Sequence, residues 1–187
     1  MIVKSNFLII GSTGRNTGKT EFACKIIERQ SGEKDIIGVK IIPVDPAIEK
    51  CHRGYDGCGL CDSLTGEFEI IEEKTKNSSK DTSRMLKAGA KKAYLLIVDR
   101  SSLEIGMTAM LNRIPSSVLV IAESNTLRKV LEPGLFIVLR RLKDSTVKSS
   151  CAEVIGYADK IIEYDDKNWN IHPDKVSVQD ENWIISE

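Results

Sequence analysis

Short apolar runs alternate with amphipathic segments along most of this chain. Asn6 to Ile10 reads as a buried strand. Glu21 to Gln30 follows as a helix, with Phe22, Ile26 and Ile27 apolar and Gly32 just past its end. Asp35 to Ile42 is a second strand, stopped by Pro43 and Pro46. Phe68 to Ile71 suits a short strand, and Ser79 to Gly89 a helix with Ser79 as N-cap and Gly89 at its C-terminal end. Three further strands are expected at Ala93 to Val98, Val118 to Ala122 and Leu135 to Leu139. Helix signals lie between them, at Leu103 to Asn112 and Thr126 to Leu131. Cys151 to Ala158 reads as a short helix and Lys160 to Tyr164 as a strand. A polar stretch from Asp165 to Pro173 and a final Trp183-Ile184-Ile185 piece close the chain. Strands alternating with helices predict an α/β fold, with a mostly parallel central sheet covered on both faces.

The periodicity vanishes from Val44 to Gly66, a stretch that holds three of the five cysteines. With 187 residues, no internal repeat and no long linker, the chain reads as one domain (1–187) with a Cys-rich insertion at about 44–66. A composition of 41% hydrophobic and 29% charged residues excludes a disordered or collagenous chain. Lys plus Arg equals Asp plus Glu at 27 each, so bulk charge supplies no drive toward polyanions and no nucleic-acid partner is expected. The apolar runs are strand-sized, too short to cross a bilayer, and Phe7 to Ile10 is too short for a secretory hydrophobic region. Cysteines without such a signal suit a reducing compartment. The expectation is a soluble, cytoplasmic protein with no membrane partner.

The first strand leads into Gly11-Ser12-Thr13-Gly14-Arg15-Asn16-Thr17-Gly18-Lys19-Thr20, and then into a helix. That is the context of a phosphate loop: glycines let backbone N–H groups curl round phosphate oxygens, and the positive helix N-terminus faces the anion. Lys19 is placed to reach the β/γ-phosphates of a nucleotide, and the Thr20 hydroxyl to bind Mg²⁺. The expected nucleotide-binding stretch is Gly14, Arg15, Asn16, Thr17, Gly18, Lys19, Thr20 and Glu21. One position departs from the standard spacing, because Thr13 stands where the pattern has glycine.

With the loop in view, the chain resembles the P-loop NTPase class that contains dethiobiotin synthetase and nickel-insertion GTPases. The closest resemblance is to the molybdopterin-guanine dinucleotide biosynthesis protein B family. Three stretches carry it: the Gly-Lys-Thr loop, the strand Ile37-Gly38-Val39-Lys40, and Ser79-Lys80-Asp81-Thr82-Ser83-Arg84 with Lys87-Ala88-Gly89-Ala90. There are departures too. Ile41-Ile42-Pro43-Val44-Asp45 replaces the histidines that follow the strand-two lysine in that family. Glu123-Ser124-Asn125-Thr126 stands for its Glu-Gly-Phe-Lys, and the Cys-rich loop is foreign to it. Lys40 with nearby Pro43 is also similar to the Lys-Pro of dethiobiotin synthetase. The resemblance implies a three-layer P-loop NTPase fold and a Mg²⁺-dependent ATP- or GTP-binding protein that hydrolyses nucleotide slowly, in molybdenum cofactor biosynthesis.

A P-loop enzyme needs a carboxylate at the C-terminal end of a strand to orient Mg²⁺ or its water. Glu123 and Asp99 both follow strands, and the resemblance favours Glu123. Asp99 has a competing reading as the N-cap of the next helix. By resemblance Asp81 joins the Mg²⁺ set and Lys40 binds an anion; without it, Asp81 merely complements a helix dipole and Lys40 is a solvated lysine. The expected catalytic group is therefore Lys19, Glu123 and Asp99, and the Mg²⁺ group Thr20, Glu123 and Asp81.

Cys51, Cys58 and Cys61, with His52, form a Cys-x6-Cys-x2-Cys cluster suited to zinc or an iron–sulfur cluster; reduced free thiols are the plain alternative. Cys24 and Cys151 read as small buried residues, and Trp169 and Trp183 as packing residues. Arg140-Arg141-Leu142-Lys143-Asp144 is not the Asn-Lys-x-Asp guanine motif, so ATP versus GTP stays open. The arginine pair either grips phosphate, within the fold or at a homodimer interface, or is a solvated turn. Two other functions fit the same residues. One is a metallochaperone NTPase serving a metalloprotein client through its cysteine loop. The other is a small-molecule ligase or kinase resembling dethiobiotin synthetase.

Overall fold

A computed structural model describes residues 1–45 and 64–186. Its centre is a seven-stranded sheet. The strands are β1 (Ile2–Ser12), β2 (Ile36–Val44), β3 (Phe68–Glu72), β4 (Lys92–Asp99), β5 (Leu119–Glu123), β6 (Leu131–Arg141) and β7 (Lys160–Tyr164). They lie in the order β3-β4-β2-β5-β1-β6-β7, and all neighbours are parallel except antiparallel β3 and β4. The expected α/β class with a mostly parallel sheet is therefore observed. A hairpin of β8 (Val176–Gln179) and β9 (Asn182–Ile185) stands beside the sheet.

Alternation along the strands builds two cores, because successive side chains point to opposite faces. Leu8 and Ile10 of β1 join a core with Phe22, Ile26 and Ile27 of helix α1 (Lys19–Gln30), and with Met85 and Leu86 of α2 (Asp81–Lys87). Phe7 and Ile9 face the other way, onto Leu103, Met107 and Met110 of α3 (Leu103–Leu111) and Cys151 of α4 (Ser149–Ala152). Trp183 is 2% exposed and its Nε1 donates to the Asn6 carbonyl at 2.9 Å, so the hairpin is pinned over the first core. Among the described residues no helix is long and apolar enough to cross a membrane.

Several expectations are corrected. Thr126 to Leu131 is not a helix: a 3₁₀ turn covers Thr126–Lys129, and Leu131 already begins β6. Pro133 and Gly134 explain this, since neither continues a helix, and Gly134 lies so close to β1 that a Cβ there would meet the Ser5 carbonyl at 2.0 Å. Cys151 to Ala158 breaks into α4 and a separate 3₁₀ turn at Ile155–Tyr157. Helix α2 starts at Asp81, two residues after Ser79, and Lys80 at its N-cap makes no side-chain cap. Its other end is as expected: Gly89 takes φ +110°, while the N–H of Ala90 returns to the Met85 carbonyl at 3.1 Å.

Candidate functional site

The site forms where β1 ends, between its parallel neighbours β5 and β6, and Ser12 to Gly18 carry the chain from there into α1. Thr13 is held on both sides. Its N–H donates to the Leu139 carbonyl of β6 at 3.0 Å, and its own carbonyl accepts from the Lys148 N–H at 2.9 Å. Thr13 therefore packs where the standard motif has glycine, and glycine is used one residue later. A Cβ at Gly14 would fall 2.6 Å from Asp144 Oδ2, so the Asp144 carboxylate lies against the loop backbone. The chain then turns through left-handed conformations at Asn16 (φ 54°) and Gly18 (φ 75°). Arg15 and Asn16 are exposed at the tip. The N–H of Phe22 returns to the Gly18 carbonyl at 2.8 Å, which makes it the first helical hydrogen bond of α1, and first-turn amides have no intrahelical acceptor.

Lys19 curls back over the loop and donates to Ser12 Oγ at 2.6 Å, while that hydroxyl donates to the Gly14 carbonyl at 2.8 Å. Burial, with the nearby positive charge of Lys40, lowers the Lys19 pKa to about 8, although Glu123 pulls the other way. Its neighbour Thr20 points across the sheet top. The Thr20 hydroxyl lies 3.0 Å from Asp81 Oδ1 and 3.2 Å from Glu123 Oε2.

Glu123 and Lys40 meet because of strand register. They are direct partners in the parallel β2–β5 ladder, and Glu123 is also the partner of Ile10 on β1. All three belong to the face covered by α1 and α2, whose first residues supply Thr20 and Asp81. Lys40 Nζ donates to Glu123 Oε2 at 2.7 Å and pairs with Asp81 Oδ2 at 2.9 Å. Burial alone would lower the Lys40 pKa, but Glu123 and Asp81 outweigh it and hold the ammonium above the ordinary lysine value. Asp81 responds in the opposite sense. Its burial raises the carboxyl, yet Lys40 and the Thr20 hydroxyl leave it below the usual value. Glu123 has a fully buried side chain, whereas Asp81 is 36% exposed and forms the open rim.

Four buried side-chain polar atoms lack a hydrogen-bond partner among the described residues: Thr13 Oγ1, Thr17 Oγ1, Glu123 Oε1 and Trp169 Nε1. Two are on the loop, and Trp169 touches it, since a Cβ at Gly18 would sit 3.1 Å from Trp169 Cζ2. The fourth belongs to the acid beside Thr20. An unsatisfied buried polar group costs about 1–3 kcal/mol, so their gathering at one place marks a site fitted for something polar.

The donors suit a hard cation. Thr20, Glu123 and Asp81 are all oxygen ligands, and Mg²⁺ uses one or two carboxylates alongside phosphate and water. Among the described residues no three His, Cys, Asp or Glu side chains converge on one point, which sets this arrangement apart from an all-protein metal cage. Cys51, His52, Cys58 and Cys61 lie outside the described residues.

Not every expected residue joins the cluster. Asp99 ends β4, which β2 and β5 separate from β1, and its Oδ1 caps the following turn by accepting from the Ser101 N–H at 2.8 Å and Oγ at 2.6 Å. Glu21 lies outside the loop and ties α1 to α2 through Arg84 at 2.6 Å. Arg140 and Arg141 pair with Glu163 and Asp166, bracing β6 against β7 and the turn after it.

Two residues near the loop carry roles that the sequence did not announce. Asn125 Oδ1 accepts from the Ser12 N–H at 2.7 Å and its Nδ2 donates to the Ser12 carbonyl at 3.0 Å, so one side-chain amide clamps the end of β1. Trp169 stacks on Tyr164 at 5.4 Å and meets Phe22 edge-on at 5.3 Å, which seats its indole against Gly18. Asn125 follows Glu123 closely enough for a signal, while Trp169 has none.

No family model, no curated protein and no solved structure matches the chain.

Proposed function

We propose that this protein is a P-loop NTPase of three-layer architecture that binds Mg²⁺ with ATP or GTP and hydrolyses it slowly. The observation that carries the reading is the convergence of Lys19 and Thr20, adjacent on the loop, with Glu123, Asp81 and Lys40 from three other elements. Loop amides and the Lys19 ammonium bind the phosphates. Thr20, Glu123 and Asp81 hold Mg²⁺, which supplies neutralisation of phosphate charge. Glu123, buried at the end of β5, orients the attacking water through its second oxygen, so catalysis is electrostatic and positional. Resemblance to the molybdopterin-guanine dinucleotide biosynthesis B family extends the proposal to molybdenum cofactor biosynthesis.

Lys19→Ala tests the reading directly. Among the described residues the Lys19 ammonium donates to one serine hydroxyl, a small contribution to the fold, so the variant should keep its circular dichroism and lose calorimetric binding of Mg²⁺-ATP and Mg²⁺-GTP. Wild-type affinity in the variant would refute it.

A second reading, transfer of a phosphoryl group to a small molecule, is favoured by one further feature. A cavity of about 350 Å³ opens beside the cluster, lined by Lys40, Ile42, Leu95 and Ile71 of the sheet and by Asp81 of α2. That volume lies at the small end of ligand pockets. Nucleotide turnover that rises severalfold with a small anionic acceptor, with phosphorus appearing on it, would distinguish transfer from hydrolysis.

A further inference from the structure

We propose that the Lys40 ammonium is a resident cation that keeps divalent metal out of the nucleotide-free site, so that metal enters only together with a polyphosphate. The proposal rests on the nucleotide reading above and assigns Lys40 a positioning role within it. The geometry is specific. Lys40 Nζ sits between the two carboxylates that a cation would use, 2.7 Å from Glu123 Oε2 and 2.9 Å from Asp81 Oδ2. Thr20 Oγ1 bonds the same two carboxylates from the loop side. The ammonium thus fills the position between the acids, while Glu123 Oε1 remains buried without a partner.

Charge counting gives the same answer. Glu123 and Asp81 carry two negative charges, Lys40 and the nearby Lys19 two positive ones, and the sum is zero. Lys148 and Arg15 add positive charge at the loop, and the Asp144 carboxylate offsets part of it. A bare divalent ion entering a balanced, half-buried site gains no net attraction to offset the loss of its hydration shell, and it competes for oxygens already in short hydrogen bonds. A polyphosphate reverses the balance. It brings several negative charges, gives the flexible lysine head another anionic partner, and frees both carboxylates for the metal. Removing Lys40 would leave the acids with an unmet charge, and a divalent ion could then bind without nucleotide.

The test uses the full chain, nucleotide-free, titrated with Mn²⁺ and followed by electron paramagnetic resonance. Wild type should leave the free-ion signal nearly unchanged. Lys40→Met should take up one Mn²⁺ per chain at least tenfold more tightly than wild type, and Lys40→Met with Glu123→Gln should lose that gain. Lys40→Arg, which keeps the charge, should behave as wild type. Equal Mn²⁺ affinity in wild type and Lys40→Met overturns the proposal. Should neutral variants fail to fold, wild type alone decides: Mg²⁺ without nucleotide must leave its Tm unchanged, and a rise overturns the idea. Failure of wild type to bind ATP or GTP would sink the nucleotide reading by itself. The metal titration of Lys40→Met reports separately.

Discussion

Lys40 and Glu123 are hydrogen-bonded at 2.7 Å across the β2–β5 ladder, in which they are direct register partners. The pair carries the site because it fixes one Glu123 oxygen and leaves the other buried without a partner. Lys40 is 16% exposed at its side chain and Glu123 not at all, so the contact is largely shielded from water. Loss of one partner would leave an uncompensated charge in the sheet, at a cost of about 3–5 kcal/mol for a fully buried pair and less for this one.

Glu123→Gln should therefore separate binding from turnover. The amide keeps the shape and one acceptor for Lys40 and Thr20 but loses the charge. Nucleotide binding should survive while single-turnover hydrolysis falls by roughly 10²-fold or more, as for loss of a group that assists proton transfer. An unchanged rate would shift the role to Asp81, the other acid on Thr20.

The pH dependence of binding follows from Lys19. Its pKa in the nucleotide-free protein is lowered to about 8, chiefly by burial and then by Lys40. Below that value the ammonium is present, and a polyphosphate meets a charged partner. Above it, binding requires a proton to be taken up. Affinity for Mg²⁺-nucleotide should be flat below pH 8 and fall about tenfold per unit above it. Calorimetry in two buffers of different ionisation enthalpy should show proton uptake on binding at pH 9 and little at pH 7; equal uptake at both would exclude the assignment.

Asn125→Ala should loosen the loop without touching a phosphate ligand. The change deprives the Ser12 N–H and carbonyl of their bonds at 2.7 and 3.0 Å. Stability should drop by about 1–3 kcal/mol, which lowers Tm by roughly 2–4 °C per kcal/mol in a domain of this size. Nucleotide affinity should weaken as well, because Ser12 also holds Lys19. A melting temperature equal to that of wild type would show that the clamp is dispensable.

The α/β class and the loop were legible because they rest on local signals: apolar runs of strand length, glycine spacing and a Gly-Lys-Thr triplet opening a helix. Register was not legible. That Lys40 and Glu123 are neighbours follows from β2 pairing with β5, a contact between residues far apart in the chain that no periodicity encodes. Asp99 and Glu123 illustrate the limit, since both acids end strands. Only the sheet order sends Glu123 beside β1 and leaves Asp99 on β4, with β2 and β5 in between, where Ser101 occupies it.

The sequence by itself determined the strand-and-helix alternation and the place of the glycine turn that opens α1. It overextended the helices at Thr126 and Cys151, because a few apolar residues fit either periodicity. Tertiary structure decided which charges meet. It also put Trp169, with no motif of its own, against the left-handed Gly18, since Tyr164 and Phe22 form a seat for the indole only after β7 lies beside β6. Local chemistry is written in short stretches of chain, whereas the partner of a buried charge is fixed by strand order and register, which depend on the packing of the whole sheet.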